Sequence, residues 1–393
     1  MNRQSRLGLG LGLVMGVFSS QAMALEGSGF EVYGFAQVDY IQDFNRVNPA
    51  WEDTLRPSRI PATEGEFGSD GQASVSGKQS RLGVQASLPV DGKPLYTKFE
   101  FDFFGVGVDE GKTTPRFRHA YGQWGNWLGG QTNSLFMDID AFPNIIDYWG
   151  PTGMVFYRTP QIRWTPMQSD NSHFAVAIEI PGNSVDFGGV DAALAANMRA
   201  DEKTPDITAQ WRMGGGWGHV QLAGIARTVG FDSVGTVDNE PSDHKTGWGV
   251  DLTTNIKFAG KNKLILGVVS GEGISNYMND GGMDMSFEGT PTAPTAKLTP
   301  LTGYIAYYDH YWSDQWSSSI GVSQTEVKNT ELQTATTYNR GQYASLNLLH
   351  TPHKNILMGG EILWGSRRSK DDTENDDSRI QISMKYNFSS KDF

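Results

Sequence analysis

Three features predict an all-β fold, an antiparallel transmembrane β-barrel of about sixteen strands with one loop folded inward. They are strict alternation of apolar and polar residues, short turns alternating with long loops, and an amphipathic last strand rich in aromatics. The alternation is clearest over residues 80–104. Leu82, Val84, Ala86 and Leu88 fall at every second position, and beyond a turn over 90–94 so do Thr97, Phe99, Phe101 and Phe103. Arg81, Gln85, Lys98, Glu100 and Asp102 lie between them. A period of two gives each strand one oily and one charged face, and leaves open which face is inside.

The pattern runs the length of the chain. Strands are predicted over 30–42, the hairpin within 80–104, 115–124, 127–131, 161–166, 173–180, 206–213, 219–228, 247–258, 263–270, 301–312, 316–327, 342–350, 355–365 and 379–388. Tight connections at 167–172, 214–218, 259–262, 313–315 and 351–353 alternate with polar, glycine-rich or acidic loops, most of ten residues or more, so all long loops fall at one end. The last strand alternates Ile380, Ile382, Met384, Tyr386 and Phe388 with Arg379, Gln381, Ser383, Lys385 and Asn387.

Only 38% of the 393 residues are hydrophobic and 47 are glycine, thin for the two buried cores a soluble chain of this length needs. No apolar run beyond the first two dozen residues approaches the ~20 of a membrane-crossing helix. A closed barrel satisfies its backbone without water and leaves no sheet edge, so the oily face is placed outside, against lipid. Trp164, Trp211, Trp248, Tyr307, Trp364 and Tyr386 share that parity and read as interfacial girdles. A secreted β-sandwich or propeller would also alternate, but without the asymmetry of short and long loops.

Arg3 and Arg6 precede an apolar run over 7–18 and the small-residue motif Ala22-Met23-Ala24. This reads as a cleavable leader over 1–24, with one barrel domain over 25–393. Without Arg3 and Arg6, 30 basic residues face 44 acidic ones, a net charge of −14, which argues against a nucleic-acid partner. The absence of cysteine excludes a disulfide scaffold, a thiolate metal site and a lipidated cysteine.

Sixteen strands enclose water, so candidate functional residues have the wet parity or lie on a loop inside the barrel. The wet face carries Arg81, Lys98, Arg116, Arg118, Arg163, Arg212 and Arg227, with Glu100, Asp102, Glu179 and Asp206 among them. The loop after the fifth strand is too apolar for a solvated surface: Leu135, Phe136, Met137, Phe142, Ile145, Ile146 and Trp149 need burial, and Pro143, Gly150 and Pro151 forbid a long helix. Packed inside the barrel, it would bring Asp138, Asp140, Asp147 and Arg158 into the lumen.

"SRLGVQAS" over 80–87, the position of that loop and the final strand resemble the general porins. "GKTTPRFRHAYGQW", "GGQT" and "FPNIIDYWGPTGMVFYRTPQIRWTP" resemble the DcaP-like porins over nearly the whole chain after the leader. The resemblance implies a trimeric sixteen-stranded channel in the outer membrane of a Gram-negative bacterium, surrounded by outer-membrane lipid and lipopolysaccharide. It also implies uptake of small dicarboxylic and aromatic acids. Carried over with the motif are Arg116, Arg118, Arg158 and Arg163. Some relatives have an N-terminal periplasmic extension; with only residues 25–29 ahead of the first strand, no coiled-coil stalk is expected here.

Arginine suits such a site because its guanidinium stays charged, is weakly hydrated and offers a planar fork that fits carboxylate. A ring of arginines at a constriction favours anions. The same arginines could instead pair with Glu100, Asp102 and the loop aspartates and only hold the loop. A non-selective or cation-preferring porin, which the acidic total charge favours, and a barrel enzyme are the competing readings. No G-x-S-x-G, H-E-x-x-H or P-loop is present, and no cofactor or metal is expected. The acidic run over 369–378 lacks the glycine of a calcium loop and reads as a solvated extracellular loop, and His350 and His353 read as turn residues.

Overall fold

The computed structural model of the protein describes residues 28–105 and 115–393. The leader expected over 1–24, and Gly107 and Gly111 of the loop after β3, lie outside the described residues. Sixteen antiparallel strands close into one barrel. They are β1 Gly29–Asp43, β2 Arg81–Val90, β3 Lys93–Asp102, β4 Arg116–Trp124, β5 Trp127–Asn133, β6 Arg158–Gln168, β7 Ser172–Glu179 and β8 Asp206–Gly215. The second half comprises β9 Gly218–Ser233, β10 Asp243–Lys257, β11 Lys263–Glu272, β12 Pro300–Tyr311, β13 Trp316–Val327, β14 Tyr338–His353, β15 Ile356–Ser369 and β16 Glu374–Ser389. β1 seals the barrel, pairing Phe35 with Arg81 of β2 on one side and Gly34 with Phe388 of β16 on the other.

The polarity is inverted relative to a soluble protein. Val38, Phe99, Phe117, Ile162 and Ile382 are exposed, whereas Gln37, Asp39, Glu100 and Asp102 are buried. Backbone closure lets both faces exist: lipid covers the first, and the second is folded against inner loops. Between β2 and β3 the chain reverses through Asp91 and Gly92, both with positive φ (50° and 74°), the pairing a two-residue hairpin requires.

Several strands run beyond their expected ends on the long-loop side: β9 reaches Ser233, β10 begins at Asp243 and β16 at Glu374. The oily alternation stops where the lipid stops, but backbone pairing continues into water. The acidic run over 369–378 is therefore not one loop. Residues 370–373 turn, with Ser369 N–H bonded to the Thr373 carbonyl at 2.8 Å, and Asp377 is buried within β16. Tyr307 also departs from expectation, pointing inward and 1% exposed, while Tyr308 faces out and stacks on Phe258. The run Tyr304-Ile305-Ala306-Tyr307-Tyr308 is apolar on both faces, so alternation alone cannot phase it.

β4 contains a bulge. Glu100 pairs with His119 and Phe101 with Phe117, leaving Arg118 as the extra residue. Arg118 and His119 are consequently both buried, Arg116 shares the inner face, and Phe117 and Trp124 are exposed on the outer one.

The segment 134–157 lies along the inner wall. Phe136 and Met137 pack on Ala223 and Ile225 of β9, Ala141 and Met154 on Ile265, Ile305 and Tyr307, and Ile146 on Leu349 and Leu357. Fully burying such a side chain is worth about 1.5–3 kcal/mol, which is why these residues cannot remain in solvent. On the return path a Cβ at Gly153 would lie 2.3 Å from the Tyr304 and Gln324 carbonyl oxygens, so only glycine permits this approach. Outside the barrel sheet, the hairpin Met285–Thr290 and Ala293–Leu298 packs Phe287 and Leu298 with Val229 and Phe231 of β9.

Candidate functional site: a cationic wall facing the inner loop

The inner faces of β2, β3 and β4, with the first residue of β6, bring five cations around two carboxylates. The strand register places Arg81 opposite Asp102 and Asp102 opposite Arg116. Arg116 forks onto Asp102, with Nε 3.1 Å from Oδ1 and Nη2 2.9 Å from Oδ2. Arg118 bridges the two acids, Nε to Glu100 at 2.8 Å and Nη1 to Asp102 at 2.9 Å. Arg81 and Lys98 reach Glu100 at 3.5 and 3.4 Å. The Tyr33 hydroxyl donates to Glu100 at 2.8 Å, a reach that needs Gly83, since a Cβ there would lie 2.4 Å from the Tyr33 ring.

The fifth cation, Arg158, stands where the inner loop rejoins the wall. Its guanidinium lies 4.8 Å above the Phe156 ring, and it is repelled by Arg118, Arg116 and Arg81. Among the described residues it has no ion pair, and its Nε and Nη2 are buried without a hydrogen-bond partner. Arg163, farther along β6, bonds only neutral oxygens, Asn133 O at 2.7 Å and Gln161 Oε1 at 2.8 Å. The inner loop meets this wall through Tyr148, whose ring stacks on Phe104 at 3.9 Å. Its hydroxyl donates to Asp102 at 2.5 Å and accepts from Arg116 and Arg118.

The remaining candidates are placed elsewhere, in contacts that hold loops. Asp138 is buried between His219 Nε2 at 2.7 Å, Thr253 Oγ1 at 2.6 Å and Arg212 Nη1 at 3.2 Å. Burial alone would raise its carboxyl, but His219, Arg212 and Thr253 outweigh that and hold it below the usual range. Asp140 pairs with the same Arg212 at 2.5 Å. Asp147 accepts from Thr54 Oγ1, Leu55 N, Gly150 N and Tyr343 Oη, clipping the inner loop to the loop after β1. Burial pushes its carboxyl up despite the charge of Arg379 and those hydrogen bonds. Arg227, fully buried, braces Asp206 and Asp284 at 3.3 and 3.4 Å.

Sequence reasoning passed over Lys385, whose ammonium lies 4.5 Å over the Phe35 ring that Arg81 shares at 5.1 Å. Its wet parity in the last strand was the available signal. It also passed over Arg56, Arg59 and Arg367, two of which sit in an aperiodic loop.

The pattern of the DcaP outer membrane protein family matches residues 18–388. The chain belongs to that family. Its fold is similar to the outer membrane channel DcaP of Acinetobacter baumannii, with a TM-score of 0.79 and 23% identity over 94% of this chain and 99% of that one. It is also similar to an anion-selective porin from Comamonas acidovorans (TM-score 0.59, 11% identity, 92% and 100% coverage). A third is the trimer form of OmpT from Vibrio cholerae (0.57, 11%, 92% and 100%). No curated protein matches. This DcaP-family chain is a porin-type channel of the Gram-negative outer membrane and not an enzyme.

Proposed function

We propose that the channel prefers small anions, dicarboxylates among them, passing them between the inner loop and the wall of β2, β3, β4 and β6. The observation that carries this reading is the imbalance at the loop's contact with the wall, where Arg81, Lys98, Arg116, Arg118 and Arg158 face only Glu100 and Asp102, and Arg158 is unpaired among the described residues. The chain's overall acidity acts from farther away, and exposed loop charges are screened within about 8–10 Å at physiological salt. In a narrow, water-poor passage the nearby guanidiniums govern the sign. We propose further that the channel is a homotrimer, as one of the similar porins is named, with lipid and lipopolysaccharide around it and a leader removed before Leu25. The deciding experiment is the reversal potential of the purified channel in asymmetric potassium chloride. Anion preference supports the reading, and a cation-selective sign overturns it.

A further inference from the structure

The loop after β1 builds a second cationic group on the long-loop side of the inner loop. Leu55 and Ile60 are fully buried in the cluster that holds Met154, Tyr343 and Leu363, which pins this loop inside the barrel. Thr54 accepts from Trp149 N at 3.0 Å and donates to Asp147 at 2.8 Å, so the two loops are clipped side by side. Arg56 is thereby held against both the Trp51 and Trp149 rings, 4.2 and 4.3 Å from their centroids. It forks onto Asp280 Oδ1 at 3.2 and 2.9 Å, and Ser58 takes the remaining capacity of Asp280 through its N–H at 2.7 Å and its hydroxyl at 2.5 Å.

Arg59 is left over. Its guanidinium lies 5.7 Å from the Trp51 ring and is repelled by Arg56 and Arg367, with Asp280 its one attraction. Among the described residues its side chain has no hydrogen bond or ion pair, and its Nε is buried. Arg367 spends Nη1 on the carbonyls of Ser58 and Ile60 and Nη2 on that of Thr336, its Nε being buried without a partner among the described residues, and Glu66, which attracts it, is bonded to Ala62 N–H at 2.6 Å. A partly desolvated guanidinium without a counter-charge is costly, and a planar carboxylate is the group that best relieves it.

We infer that Arg59, with Arg56, Trp51 and Arg367 around it, is an outer docking station for the carboxylate of a small organic acid on its way to Arg116 and Arg158. Trp149 and Tyr148, adjacent in sequence and 6.0 Å apart by ring centroids, connect the two cationic groups. Two stations in series let one bound anion help displace the next, so binding does not stall passage. The inference rests on the anion reading above. Succinate applied to one face of oriented channels separates the two. The wild-type reversal potential reads the wall, and the sidedness of current block reads Arg59. Arg59→Gln is expected to raise the half-blocking succinate concentration from the long-loop side about tenfold, the size of one charge-assisted contact, with a smaller change from the short-turn side. Arg59→Lys, which keeps the charge but not the fork, should give an intermediate rise and serves if the glutamine variant does not assemble. A wild-type channel that selects anions while both variants block like wild type from both sides overturns the station alone. A cation-selective wild type overturns the anion reading as well.

Discussion

Tyr148 of the inner loop donates its hydroxyl hydrogen to Asp102 of β3 at 2.5 Å, and the same oxygen receives Arg118 at 2.9 Å. The loop's far side is held by apolar packing against the opposite wall, so this phenol spans the gap between the two. It fixes both the loop and the orientation of the arginines.

Replacing Tyr148 with Phe keeps the stack on Phe104 and removes only the hydroxyl. A hydrogen bond to a charged group contributes about 1.5–3 kcal/mol, which should be lost from loop docking and not from the barrel. Single-channel records should show added open-state noise, with unchanged heat stability. A quiet trace would mean that the stack alone holds the loop.

Neutralising Arg116 and Arg158 together, each to Gln, should shift the reversal potential toward cations. The flux of a dianion such as succinate should fall more than that of a neutral sugar of similar size. Equal losses would leave the arginines as braces for the loop.

Deleting about ten residues around 143–150 removes the Tyr148 contact and the Asp147 clip together. Conductance should rise, because the segment occupies lumen. Conductance equal to wild type would place the narrowest point elsewhere.

The two buried loop aspartates respond to acid with opposite signs. Asp138, held below the ordinary value of 3.8, adds stability that is present above 3.8 and is lost only as pH falls through its lower folded value. Asp147 is raised, so protonation on acidification relieves a cost. Loop docking should therefore survive a drop from about pH 7 to about pH 4.5, with no increase in conductance. A rise in that window would show that a different carboxylate controls the loop.

Assembly is tested separately. Unboiled protein should migrate in detergent as an oligomer and convert to monomer on heating, and the intact mass should correspond to a chain starting at Leu25. A monomer band without heating, or retained Met1, would remove the trimer or the leader respectively.

The barrel was legible because lipid imposes a repeat of two that no tertiary contact disturbs: Val38, Phe99, Ile162 and Ile382 announce their faces without knowledge of neighbours. Tyr307 was misread where both faces of β12 are apolar. Wet parity found Arg81, Lys98, Arg116 and Arg118, but it could not tell an arginine beside the inner loop from one sealed beneath other loops, as Arg227 is. Arg56 and Arg59 carry no parity at all. Their place follows from Thr54 meeting Asp147, residues 93 apart in the chain.

The bulge in β4 sets the sign of the wall, because it shifts the alternation of the strand by one residue. Above it even-numbered side chains face water, and below it odd-numbered ones do. Paired without the bulge but with Arg118 retained, the lower half would stay in place and the upper half would invert, turning Arg116 toward hydrocarbon and Phe117 toward the lumen. Facing lipid costs an arginine up to about 2–4 kcal/mol at the bilayer midplane and less near the interface. Loops on this barrel can gain or lose a residue locally, but in β4 it is the one unpaired residue that keeps Arg116 on the wet surface above it and His119 on the wet surface below it.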